Sequence, residues 1–333
     1  MPKIYLLFLA VLLLAACRSY NPEEHPDLKV REYNLPQTKD LTAKIVRDTT
    51  RADLYFQRGN ALRRLHLDSL AAADYIRAVR LDTNKAEYLS AVGDILFEAR
   101  DLEGSREWLR KALLKNPKDP QARLNLAKGD LINKDYNAAF EQINTVLRAN
   151  PYDADAYFLK GMVYKDIKDT TKAISAFQTS LQVQPDYKES LMQLGFIAQD
   201  RKDSTALQYF RNAYLADTND LFPIYTRGQY FGGKEQWARA KNEYQFAISR
   251  APEYADAHFA MGYTLLQEDS VEKALPYFRK AAGLDPQNPN AAFNAGICEE
   301  YLGNPAAARQ HYEAALKAAP GYTPAQEALN RVR

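Results

Sequence analysis

The side chains able to do chemistry are few in this 333-residue chain, and they are scattered. Its two cysteines, Cys17 and Cys298, lie far apart. Of its four histidines, His25, His66, His258 and His311, no two stand at the i, i+4 spacing that puts a pair of metal ligands on one helix face, and none joins a cysteine cluster. Gly232-Gly233 is a lone pair in a predicted turn between helices, not a glycine-rich phosphate loop. Glu299-Glu300 offers paired carboxylates, but neighbours on a helix point about 100° apart. The pair is expected to straddle an exposed face. These patterns predict no catalytic centre, no metal site and no cofactor.

What the chain has in abundance is a period. Gly59, Gly93, Ala127, Gly161, Gly195, Gly228, Gly262 and Gly296 follow one another at 34 residues, with a single step of 33 between Gly195 and Gly228. Pro117, Pro151, Pro185, Pro252, Pro286 and Pro320 keep the same beat, and Thr83 and Thr218 fill the two empty places. A fixed period in this range means stacked copies of one supersecondary unit.

Each copy reads as two helices. A second series of small residues, Ala71, Ser105, Ala139, Ala173, Ala206, Ala240, Ala274 and Ala308, lets the second helix approach the glycine of the first. Larger side chains four residues on, from Tyr75 and Leu109 to Phe278 and Tyr312, fill the gap beside them. A third series, from Ala78 to Ala315, leaves room for the next copy. The prolines stop the second helices. Asp68-Ser69, Asp169-Thr170, Asp203-Ser204 and Asp269-Ser270 stand where a side-chain oxygen could cap the second helix.

The copy from Ala154, with Tyr157, Gly161, Tyr164, Ala173, Phe177 and Pro185, is similar to the tetratricopeptide repeat. So are Gly262, Ala274, Phe278 and Pro286, and Gly296, Ala308, Tyr312 and Pro320. The resemblance runs over residues 52–322 in eight copies: 52–85, 86–119, 120–153, 154–187, 188–220, 221–254, 255–288 and 289–322. It implies an all-α, right-handed superhelical solenoid, which a polar helix at 323–333 would cap.

Residues 1–16 read as a signal peptide: Lys3, the apolar run Ile4 to Leu14, then Leu14-Ala15-Ala16-Cys17, which resembles a bacterial lipobox. That resemblance makes Cys17 the lipid attachment site, with palmitate or similar acyl chains holding the protein to a membrane of the cell envelope. Arg18, not aspartate, follows the cysteine, which favours the outer membrane. Residues 17–51, with Pro22, Pro26 and Pro36, read as a polar tether in which residues 41–48 could form a short helix. Lysine plus arginine total 44 against 42 aspartates and glutamates, so nothing in the charge balance suits nucleic acid.

In the resembled family, first helices line the inside of the coil, which implies a partner-binding groove. The inner positions from the fourth copy on are Phe158, Met162, Met192, Phe196, Phe222, Tyr225, Phe259, Tyr263, Phe293 and Ile297. Rings and methionines suit an amphipathic helix or an extended apolar segment. The expected function is an envelope adaptor or scaffold that binds other envelope proteins. The 22 tyrosines keep an alternative open, a peptidoglycan- or carbohydrate-binding module, although most fall on core positions. A clamp for a peptide's C-terminal carboxylate is disfavoured, because Phe56 stands where that family mode places a lysine and only Asn60 fits.

Overall fold

The computed structural model describes residues 31–332, and the signal and lipobox readings, with Cys17, lie outside the described residues. Among the described residues there are eighteen α-helices and no strand, after a 3-10 turn at Arg31–Asn34. The chain divides into two compact units, residues 1–176 and 177–333.

The first unit holds α1 (Lys39–Arg47), α2 (Ala52–Arg64), α3 (Asp68–Leu81), α4 (Ala86–Glu98), α5 (Leu102–Lys115), α6 (Pro120–Ile132), α7 (Tyr136–Ala149) and α8 (Ala154–Asp166). The division falls within α9 (Thr170–Val183). The second unit continues with α10 (Lys188–Asp200), α11 (Ala206–Ala216), α12 (Phe222–Gly232), α13 (Trp237–Arg250), α14 (Ala255–Gln267), α15 (Val271–Leu284), α16 (Pro289–Tyr301), α17 (Pro305–Ala318) and α18 (Thr323–Arg331). Within each unit successive helices pack on one another.

The glycines earn their places differently from the expectation. The tightest contact is with the large filler rather than with the small residue. A Cβ added to Gly228 would lie 2.3 Å from Tyr244 Cε1, and one on Gly195 2.4 Å from the Phe210 ring. Gly59, Gly93 and Gly296 meet Tyr75, Leu109 and Tyr312 in the same way. Each filler lies across the helix backbone opposite, and all of these fillers are buried. Gly262 is looser, with 3.0 Å to Phe278. Gly228→Ala should therefore cost a net 1–2 kcal/mol or so, because overpacking at about 1–3 kcal/mol outweighs the gain in helix propensity. Gly262→Ala should be close to neutral. Urea unfolding of the two variants measures the difference, and equal midpoints would refute this account.

The turn inside each copy has a feature that the residue types conceal. Fourteen residues after every copy's start the backbone enters the left-handed region: His66, Arg100, Lys134, Lys168, Lys202, Glu235, Asp269 and Gly303 all have positive φ. The next amide then donates back to the fifth-last residue, as in Asp101 N–H to Leu96 O at 2.9 Å and Asn304 N–H to Glu299 O at 2.9 Å. This is the Schellman closure of a helix end. Glycine serves it once, at Gly303 (φ 78°).

That geometry also corrects the capping assignment. The cap stands one residue after the left-handed one. Asp101, Asp135 and Asp169 take it and accept from Gly104, Ala138 and Lys172 amides. Asp119 and Asp153 cap first helices in the same manner. Asp68 is already inside α3, and Asp269 sits in the left-handed turn itself. Asp68 and Asp269 are each one place out of register, and Ser270, which does stand at the cap position of α15, donates its hydroxyl to Glu268 O at 3.3 Å instead of capping. Asp203 accepts from Thr205 N–H, and α11 begins only at Ala206.

The segment expected to be a tether is folded from residue 31. Tyr33, Thr38, Thr42 and Ile45 are buried, and α1 packs on α2. At the far end α18 closes the last pair through Ala325 and Ala328.

Candidate functional site

The surfaces of the first helices differ in chemistry between the two units. In the first unit they carry a polar network. Arg63 pairs with Glu98. Asp94 accepts from Asn125 Nδ2 at 2.6 Å, and Asn125 in turn accepts from Gln121 (3.1 Å) and Lys128 (3.1 Å). Burial pushes the Asp94 carboxyl above its ordinary range, against the Asn125 bond and the Arg63 charge that pull it down. Asn60 Oδ1 takes the Tyr75 hydroxyl at 2.8 Å and so is already engaged. Phe158 and Met162, the two expected groove residues of this unit, are half-buried, and Phe158 packs against the core of α6 to α8.

In the second unit the corresponding surface is aromatic. Phe196 meets Phe210 edge-on at 5.5 Å and Phe222 at 6.4 Å. Phe222 stacks on Tyr225 at 6.4 Å, which continues to Tyr244 at 5.9 Å. Phe259 stands against Phe278, and Phe293 against Tyr312 and Tyr322. Phe196, Tyr225, Phe259 and Phe293 thus lean on the fillers, and each is partly covered. Phe222 (45% exposed) and Tyr263 (49%) are the groove residues most open to solvent. Met192 is different: at 8% exposure it belongs to the core. Ile297 packs against the terminal cluster with Phe293.

Tyr225, Phe259 and Tyr263 converge on one cavity of about 340 Å³. Its other walls, Gln229, Gly232, Gly233, Trp237, Tyr244, Ala260 and Thr264, are outside the expected groove set. A signal for it was present. Eleven residues after the copy starts, Arg63, Phe97, Leu131, Lys165, Gln199, Leu266 and Glu300 all carry long side chains, and Gly232 carries none.

Glu299 and Glu300 correct the opening reading of that pair. Glu299 is 1% exposed rather than on an open face, and it accepts from Arg279 and from Asn304 Nδ2. Glu300 accepts from the Tyr312 hydroxyl at 2.6 Å and from Arg331 at 2.7 and 2.9 Å. The Arg331 bonds hold the Glu300 carboxyl below its usual range. One carboxylate ties α15 to α16, the other ties α18 to α16, and both are engaged. Burial drives the Cys298 thiol up to about 11, so it sits as a small apolar group. Among the described residues no group of three His, Cys, Asp or Glu could hold a metal, and no helix is long and apolar enough to cross a membrane.

Three family models, each described as tetratricopeptide repeat, match the chain: one at 56–123 and 225–289, one at 265–332 and one at 154–187. Together they cover more than half of it. The chain is 25% identical over 155 residues to the "DnaJ protein P58IPK homolog" of Arabidopsis thaliana, covering 43% of this chain and 32% of that protein. It is 33% identical over 86 residues to the "Probable UDP-N-acetylglucosamine--peptide N-acetylglucosaminyltransferase SPINDLY" of Solanum lycopersicum, covering 26% of this chain and 9% of that one. The chain therefore spans a third or less of the curated relatives it matches. Among solved structures it resembles the C-terminal part of a TPR repeat-containing protein from Cytophaga hutchinsonii, with TM-score 0.56 and 16% identity over 71% of this chain and 98% of that one.

Proposed function

We infer that this chain, which belongs to the tetratricopeptide repeat family, works as a non-enzymatic adaptor that holds a partner polypeptide on the first-helix surface of its second unit. The observation that carries the reading is the run of rings Phe196, Phe222 and Tyr225, which rests on the buried Phe210 and Tyr244 at its two ends and opens to solvent at Phe222. Exposed aromatic surface of this kind gains most from covering by another chain. The few carboxylates and histidines that could act chemically are tied into the frame or dispersed.

We propose in addition that the adaptor is lipid-anchored at Cys17 in the cell envelope, on the outer membrane. The support is the Leu14-Ala15-Ala16-Cys17 sequence after its apolar run.

The test is capture of a stoichiometric protein from solubilised envelope by the wild type and by Phe222→Asp. Phe222 is largely outside the core, so the variant should melt within about 0.5 kcal/mol of wild type. Capture should fall at least about tenfold if the ring is a central contact. Unchanged capture would place the contact surface elsewhere. Retention on purified wall material, without a protein partner, would favour a carbohydrate-binding module instead. Mass spectrometry of the mature N-terminus tests the acylation of Cys17 separately.

A further inference from the structure

The cavity between α12, α13 and α14 is specific to one copy of the repeat. Its volume of about 340 Å³ falls at the small end of the range that ligand pockets span, about 300–1,000 Å³. Room comes from Gly232. A Cβ there would find only Trp237 Cζ3, at 3.7 Å, so the space beside the helix end is open. Trp237, Phe259 and Tyr263 supply ring faces.

The polar groups of its walls are mostly donors. Tyr225, Tyr244 and Tyr263 each bring a hydroxyl and Trp237 an indole N–H, and none of the four donates to a protein acceptor among the described residues. Thr264, the other hydroxyl, donates to Ala260 O at 2.8 Å. Tyr244 shows how the excess arises. In other copies the equivalent hydroxyl is given an acceptor: Tyr75 donates to Asn60, eight residues into its copy, and Tyr312 donates to Glu300, eleven residues in. Here those two places hold Gln229 and Gly232. Gln229 turns its Nε2 to the Tyr225 oxygen at 3.1 Å, which leaves the Tyr225 proton free to donate, and Gly232 has no side chain. Burial holds the Tyr225 and Tyr244 hydroxyls above their ordinary range, so both keep their protons.

Acceptors are scarce. The walls are helix sides, whose carbonyls accept within their own helices. At the end of α12 the carbonyls of Phe231 and Gly232 accept from the Gln236 and Glu235 amides, both at 2.9 Å. Gln229 Oε1, at the exposed rim, is the one side-chain carbonyl. No charged side chain lines the cavity, and the nearby cations are engaged, Arg227 with Glu243 and Lys241 with Glu268. A carboxylate would answer the donors, but it would be desolvated without a cation and set against the negative faces of the rings. A sugar brings a further donor with every hydroxyl. An ordinary extended peptide brings an N–H with every residue, and each one buried without an acceptor is costly. Proline meets every condition. It has no N–H, the carbonyl before it accepts, its ring is apolar, and its backbone is already restricted before binding, so little entropy is lost. Aromatic-lined grooves take proline on these grounds.

We propose that this cavity seats a proline of the bound polypeptide, its ring against the aromatic walls and the carbonyl before it accepting from the tyrosine hydroxyls. The proposal rests on the adaptor reading and names what its partner must carry at this point.

The probes are the peptide acetyl-Gly-Pro-Pro-Pro-Gly-amide and its counterpart with three valines, which has as many side-chain carbons and keeps its N–H groups. The readout is the indole N–H resonance of Trp237 in the full chain. Trp108, in the first unit beneath the Lys111 amine at 4.6 Å, is the internal reference. The proline peptide should move the Trp237 signal saturably and leave Trp108 in place. The valine peptide should bind roughly tenfold more weakly, the equivalent of one N–H buried without an acceptor. Gly232→Leu, which installs the residue found at Leu131 and Leu266, should abolish the shift while the melting temperature holds. Absence of a Trp237 shift, equal binding of the valine peptide, or a shift that survives Gly232→Leu would each overturn the proposal. A shift with an N-acetylglucosamine trimer and none with the proline peptide would overturn it in favour of a glycan site. Should Gly232→Leu melt early, the titrations of the wild type decide alone. The two readings fail separately. Capture that is lost in Phe222→Asp but intact in Gly232→Leu removes the proline seat and keeps the adaptor. Capture untouched by Phe222→Asp removes the adaptor surface, while the peptide titration still judges the seat.

Discussion

Asp74→Ala is expected to destabilise the first helix pair by about 3–5 kcal/mol, the cost of leaving a buried charge without its partner. Arg58 is fully buried, and Asp74 is 2% exposed. Two parallel bonds of 2.7 Å join the guanidinium to the carboxylate. The same guanidinium donates to Thr42 Oγ1 at 3.2 Å and lies 3.8 Å above the Tyr33 ring. Thr42 in turn donates to Tyr33 O at 2.6 Å. One cation thus joins α2, α3, α1 and the turn before it. Loss should appear as faster amide exchange across α1 to α3 and as an earlier first phase in urea unfolding. Exchange should change little in the second unit, because stability in repeat arrays is largely local. Arg58→Met with Asp74→Leu should recover most of the loss, since replacing both ions with apolar groups removes the uncompensated charge. A change below about 1 kcal/mol in Asp74→Ala would show that water reaches the site.

Phe278→Ala should cost a similar 3–5 kcal/mol, here through a cavity rather than a charge. The ring is fully buried between α14 and α15, lies over Gly262 and takes the edge of Phe259 at 5.6 Å. Its removal strips contacts from both helices at their closest approach. Adding Gly262→Leu to the variant returns volume from the opposite helix and should restore part of the stability. Phe259→Ala, with the ring half-exposed, should cost clearly less than Phe278→Ala. Urea midpoints for the three variants decide the matter, and equal losses for Phe259 and Phe278 would contradict the assignment of Phe278 as the filler.

The groove residues divide along the same line. Phe222 and Tyr263 were expected on the binding surface, and they are the exposed ones. Met192 was expected beside them and is core. Phe259 and Phe293, four residues into their helices, and Phe196, eight residues into its own, are both at once, because each ring reaches the filler on one side and solvent on the other. No pattern along one helix distinguishes these cases; the neighbouring helix sets how much of each ring it covers.

The period, the pairing of helices and the series of small and large residues are readable from the chain because they rest on neighbours at short, constant spacing. A glycine, a filler fifteen or sixteen residues later and a closing proline carry their meaning within a copy, whatever lies beyond it. The caps and the fate of Glu299 are of another kind. Asp269 misses its cap by one residue of turn geometry, and Glu299 is buried with hydrogen bonds from Arg279 and Asn304. Each depends on whether a polar atom finds its partner across a helix contact, and that is settled only when the helices pack.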